Sequence, residues 1–132
     1  MSLRLPFYST LLGGTVLLTA FKKKQYQFLL VGFPAFVGSC LWWSTEENWA
    51  LVIDRTCLAI FLTYLFIRCL RELSLLVWMA VSVLMVAGAT VWSWKKANED
   101  VWEQDFEDVV HASFHVCFIA AFHLMATKFE AK

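Results

Sequence analysis

The stretch that decides the fold is Leu73 to Trp94, LSLLVWMAVSVLMVAGATVWSW, which carries no charge. A helix needs about 20 apolar residues to cross the hydrocarbon of a bilayer, and this run supplies them. Outward from it, four more segments come near the same requirement: residues 5–21, 27–44, 48–67 and 108–127. The spacing predicts an all-α, polytopic transmembrane helix bundle of about five spans, a single domain over residues 1–132. Segment 5–21 is the weakest, being short and carrying Gly13-Gly14, so it is expected to tilt or to lie partly in the interface. Segment 27–44 contains Gly32 and Pro34, where a kink is expected because proline breaks the helix ladder.

Composition agrees. Hydrophobic residues make up 60% of the chain, against about 45–50% in soluble domains. The connecting segments 22–26, 45–47, 68–72 and 95–107 are short, so consecutive helices are expected to be antiparallel. Zero net charge gives no reason to expect nucleic acid as a partner. Cys40, Cys57, Cys69 and Cys117 sit in or beside apolar runs, fit neither a zinc ribbon nor a disulfide framework, and read as small buried hydrophobes. Lys22-Lys23-Lys24 follows the first apolar run where a secretory signal would carry a small-residue cleavage site; the run is therefore read as a retained span.

Charge sets the expected orientation. With five spans, Lys22, Lys23, Lys24, Arg68, Arg71, Lys128 and Lys132 share one side, and Arg4, Lys95 and Lys96 share the other. The positive-inside rule places the lysine-rich side in the cytoplasm or matrix, with the N-terminus out and the C-terminus in. Most acids, and Trp42, Trp43, Trp49, Trp92, Trp94 and Trp102, gather near the N-terminal side, the tryptophans as an interfacial belt would.

Ionisable groups inside a span are costly and mark candidate sites. Here they are Asp54, His111, His115 and His123. His111 and His115, at i and i+4, project from one helix face and could present two imidazoles to a zinc, copper, iron or nickel ion. Asp54 lies six residues into its span and His115 seven into its own, both about 10 Å deep from the same face. Ser39 and Trp43 reach a similar layer. The plainer alternatives are hydrogen bonding of the two histidines within the bundle and pairing of Asp54 with Arg55 or another helix. His123, near the other end and off that face, reads as structural. A separate stripe, Glu107–His111–His115, has spacing four but begins at the water boundary.

The order Ser39-x3-Trp43, then Asp54 eleven positions on, then His111-x3-His115 in the last span resembles the alkaline ceramidases, of the wider superfamily that includes the adiponectin receptors. The text VIDRTCLAIF (52–61) and HASFHVCFIAAFHLM (111–125) is similar to that family's Asp-bearing and last spans. The resemblance covers about half the chain, residues 38–63 and 110–125. It implies a seven-span bundle in which three histidines hold zinc, an Asp holds the zinc-bound water and a Ser assists at the reaction centre. Carried over by position, His111 and His115 would be metal ligands, Asp54 and Ser39 catalytic.

Two departures change the expected function. Trp43 stands at the family's first histidine, and an indole has no lone pair for a metal, whereas a catalytic zinc normally has three protein ligands. Two spans between Asp54 and His111 also have no counterpart. The expected function is therefore a non-catalytic accessory subunit of a larger membrane complex, a pseudoenzyme on a ceramidase-like scaffold with no cofactor, contacting membrane lipids and other membrane subunits. Ala87-Gly88-Ala89 would allow close helix approach. The alternative is a zinc-dependent hydrolase of lipid amides using His111, His115 and Asp54. The mitochondrial inner membrane is expected ahead of the endoplasmic reticulum or Golgi.

Overall fold

The structure is a computed structural model and describes residues 4–132, all of whose regular elements are helices. They are α1 (Leu5–Leu11), α2 (Gly13–Lys22), α3 (Tyr26–Thr45), α4 (Asn48–Glu72), α5 (Leu75–Asn98) and α6 (Gln104–Lys128). The last four are long and apolar enough to cross a membrane. The 5–21 segment forms two pieces meeting at Leu12, which itself has helical backbone angles. The Leu12 amide bonds the Ser9 carbonyl and the Thr15 amide bonds Leu12, i to i−3 contacts that tighten the helix locally where Gly13-Gly14 weaken it.

Local chemistry explains the other boundaries. Proline in the first turn of α1 costs nothing there, since that N–H has no helical partner. α3 continues through Pro34 and stops at Glu46, whose left-handed φ of 54° turns the chain out of the helix. α5 begins at Ser74, whose side chain accepts from the Val77 amide. α4 runs to Glu72, five residues beyond its apolar segment. It can do so because Arg68 and Glu72, at i and i+4, form an ion pair with both side chains nearly buried. α5 likewise extends past its apolar run, with Lys95 and Lys96 in its last turn, where cations favour the helix dipole.

The packing order across the bundle is α4, α3, the α1–α2 pair, α6, α5. α4 and α5, consecutive in sequence, stand at opposite ends of this row. The row curls, and α4 reaches α6 through long side chains: Phe61 meets Phe122 edge-on at 5.1 Å, and Cys69 Sγ lies 3.3 Å from Met125 Sδ. Beside that contact an apolar cleft of about 340 Å³ opens between α4 and α5, lined by Leu65, Phe66, Trp78 and Met85 among others.

A cluster of fully buried side chains lies at the lysine-rich end. Phe28, Leu65, Met125, Ala20 and Ala126 are fully buried there, with Phe129 against them. Arg68 is the hub. It donates to Glu72, the Tyr64 hydroxyl at 2.8 Å, the Gln25 side-chain Oε1 at 3.2 Å and the Glu130 backbone carbonyl at 2.8 Å. Its guanidinium lies 4.5 Å from the Phe129 ring. Gln25 donates to the Phe129 carbonyl at 2.5 Å, and the Gln27 amide donates to the Lys132 carbonyl at 2.8 Å. Residues 129–132 are thereby held against the ends of α3 and α4. Between α5 and α6 the backbones approach at Gly88, where an added Cβ would stand 2.5 Å from the Phe118 ring.

Gly88→Ala is expected to lower stability by about 1–3 kcal/mol, the range for overpacking a filled contact, seen as a lower thermal midpoint in nanodiscs. Gly88→Ala combined with Phe118→Leu should recover part of the loss. Arg68→Met removes the cation but leaves a nearly buried Glu72 carboxylate. It is expected to cost about 3 kcal/mol and to make the 129–132 segment the first point of proteolysis.

Candidate functional site

At the opposite end Ser39, Trp43, Asp54, His111 and His115 meet. A cavity of about 140 Å³ is lined by Ser39, Trp42 and Trp43 from α3, Asp54 and Arg55 from α4, His111 and His115 from α6, and Thr10 from α1. Its remaining walls are apolar, with Phe36, Phe61, Phe118 and Phe122 among them. The five residues singled out by spacing, Ser39, Trp43, Asp54, His111 and His115, therefore share one layer in three dimensions.

Asp54 is buried and accepts a hydrogen bond from Ser39 Oγ at 2.5 Å. Its partner is thus on α3, not the adjacent Arg55, which is exposed. Gly38 makes this contact reachable: a Cβ there would lie 3.1 Å from the Asp54 Cα, so α3 and α4 touch backbone to backbone beside the Ser39–Asp54 bond.

The histidines form a relay of hydrogen bonds. Ser9 Oγ lies 3.0 Å from the Pro6 carbonyl and 2.7 Å from His115 Nδ1. With the hydroxyl proton given to Pro6, Ser9 accepts His115 Nδ1–H. His115 Nε2 then carries a lone pair and accepts His111 Nε2–H, at 3.1 Å. His111 Nδ1 is left as a buried acceptor with no partner among the described residues. A buried polar atom without a partner is uncommon and costs stability.

Trp43 is buried against this pair. Its ring centroid is 4.9 Å from that of His111, edge to face, and 6.3 Å from that of His115. Above it, the Arg4 guanidinium carbon lies 5.2 Å from the ring centroid. Arg4 also reaches Asp108 through Nε at 3.1 Å and Nη2 at 2.5 Å, and Glu46 at 3.1 Å. These carboxylates, Asp108 first, hold the guanidinium pKa above its ordinary value.

A catalytic zinc was tested against these side chains. The 3.1 Å between the two Nε2 atoms is close to the ~3.3 Å edge of a tetrahedral site with bonds near 2.0–2.1 Å. A third ligand is not brought to them: Asp54, the remaining donor in the layer, is bonded to Ser39. Trp43 can only donate, and no group of three His, Cys, Asp or Glu side chains among the described residues is placed to hold one ion. Glu107, the first member of the i+4 stripe, turns to Lys95 Nζ at 3.6 Å.

His123 lies apart from this layer. Thr15 Oγ1 is 2.7 Å from its Nε2 and Thr19 Oγ1 3.2 Å from its Nδ1, so both ring nitrogens tie α6 to α2. The four cysteines are free thiols. Sequence spacing did not single out Arg4, Ser9, Glu46 or Asp108. Arg4 counted only as one charge on its side, and Ser9 sits in the weakest apolar segment.

Comparison with protein-family models, curated proteins and solved structures finds no match to this chain.

Gly38→Ala is expected to push α3 from α4 at the Ser39–Asp54 bond and to cost about 1–3 kcal/mol, measured by thermal unfolding. Ser39→Ala, which removes the donor from a buried carboxylate without crowding it, should cost a similar amount. The double variant should then cost less than the sum, because both act on one contact.

Proposed function

We propose that this chain is a non-catalytic integral membrane accessory subunit built on a degenerate ceramidase-like scaffold. The observation that carries the reading is Trp43. An apolar ring that cannot ligate a metal stands against the histidine pair, at the position where the resembled family has its first histidine. Ser39, Asp54, His111 and His115 share one cavity layer with it, as that resemblance requires, and the Ser39–Asp54 and His111–His115 contacts pair these groups, with His111 Nδ1 left without a partner among the described residues. The layer thereby joins helices, Ser39–Asp54 tying α3 to α4 and Ser9–His115 tying α1 to α6. The order α4, α3, α1–α2, α6, α5 separates α4 from α5 in space, which suits the loss of two spans between them.

In this reading α1 and α2 together make the first of five crossings, since residues 5–22 as helix extend about 27 Å. The N-terminus faces out, and the Lys22–Lys24 side faces the matrix or cytoplasm. The mitochondrial inner membrane is the proposed location. The exposed apolar side chains of α5, among them Leu75, Leu76, Met79, Val83 and Val86, meet lipid and the helices of other subunits. A second reading, a zinc-dependent hydrolase of lipid amides on His111, His115 and Asp54, has the 3.1 Å Nε2 spacing in its favour.

Metal content and native size separate the two. The purified chain is expected to hold far less than one zinc per molecule and to migrate in a large detergent-stable assembly. Stoichiometric zinc lost on His111→Ala, together with release of fatty acid from ceramide, would sink the subunit reading in favour of the hydrolase. The resemblance has its own check. Trp43→His should create a zinc site that His111→Ala removes; no zinc in the folded Trp43→His protein would count against the ceramidase-like layout.

A further inference from the structure

Arg4 does more than balance charge at the end of α1. It precedes the first helix in an extended conformation, with φ −73° and ψ 154°, and its side chain lies back over the end of the bundle. Three elements converge on it. α6 supplies Asp108, nearly buried and gripped through both Nε and Nη2. The α3–α4 turn supplies Glu46, at the left-handed residue that ends α3. α3 itself supplies the Trp43 ring, under the guanidinium. Forked pairing to a carboxylate is among the stronger charge-assisted contacts, and a guanidinium over an indole adds cation–π attraction.

Directly below this stack are His111 and His115, and beside them the cavity that Trp43, Thr10, Ser39 and Asp54 also line. From the aqueous phase on the Arg4 side, the sequence of groups is therefore guanidinium, indole, imidazole pair. Asp108 lies three residues before His111 on α6, so the residue that anchors Arg4 also fixes the height of the cap above the histidines. Each component is bound to a different part of the chain. Releasing the guanidinium would remove a side chain that bridges the N-terminal lead, α3, the α3–α4 turn and α6 at this end, while Ser9 stays bonded to His115 and Trp43 packed on His111.

We propose that Arg4 is the latch of a cap, formed with Trp43, Asp108 and Glu46, that closes the histidine pair and its cavity against water on the Arg4 side. The cap makes access from that side conditional on release of a single side chain. It holds whether or not the site below ever carried out chemistry, and its test does not use metal binding or hydrolysis.

The test uses the full chain in lipid nanodiscs, with Cys40, Cys57 and Cys117 replaced by Ser and a thiol introduced by Thr10→Cys, a buried cavity-lining position. Cys69, buried in the core at the other end, stays as the sentinel for unfolding. The probe is a charged, membrane-impermeant methanethiosulfonate, and mass spectrometry reads the rate at each thiol. With Arg4 intact the introduced thiol is expected to react slowly. Arg4→Ala should speed it by about tenfold or more, the factor that the loss of one strong charge-assisted contact produces, with Cys69 still protected. Equal rates with and without Arg4, in folded protein, would overturn the latch. Should Arg4→Ala unfold the chain, seen as labelling of Cys69, Arg4→Lys decides. It keeps the charge but loses the fork, so an intermediate rate supports the latch and an unchanged rate rejects it.

Discussion

Inside hydrocarbon a polar side chain has no water to bond, so every such group must find its partner within the protein. α6 imposes this constraint at His111, His115 and His123, and carries a fourth polar group, Asp108, at its Arg4-facing end. Arg4 meets Asp108, Ser9 meets His115, His115 meets His111, and Thr15 and Thr19 meet His123. Three of these four contacts are made by α1, α2 or the residue that leads into them. The demand of α6 for hydrogen bonds is therefore what seats the α1–α2 pair in the middle of the row, and α3 and α5 take the flanks that remain.

The two ends of the bundle solve the same problem differently. At the lysine-rich end one cation, Arg68, is surrounded by acceptors from α3, α4 and the tail, and aromatic side chains fill the space between them. Its charge is paired and its donors are used, which is the condition for tolerating a buried ion. At the other end the polar groups are spread over four helices, and a cavity lies between them. His111 Nδ1, without a partner among the described residues, belongs to that end.

Trp43 links the fold to the proposed function. Its ring occupies space against the imidazoles and offers them no lone pair. The histidine pair can still be read as two ligands in search of a third, and its spacing would suit a metal. Under the indole the two rings are hydrogen-bonded to each other, with His111 Nδ1 left over. Gly38 contributes at a distance: without its bare Cα the Asp54 backbone would stand off from α3, and Ser39 would not reach the carboxylate.

Much of the helical architecture was legible in the amino-acid order. The uncharged run Leu73–Trp94 and its neighbours announce helices long enough to cross a membrane, because span length follows directly from rise per residue. The shared depth of Ser39, Trp43, Asp54, His111 and His115 was legible too, because depth along a helix is arithmetic. The partners of those residues were not. Asp54 bonds Ser39 while the neighbouring Arg55 stays exposed. Glu107 leaves the histidine stripe for Lys95, and Arg4 spans more than a hundred residues of sequence to reach Asp108. Such choices depend on which helix faces which. That is set by the sum of all packing and hydrogen bonding, and only the tertiary structure decides it.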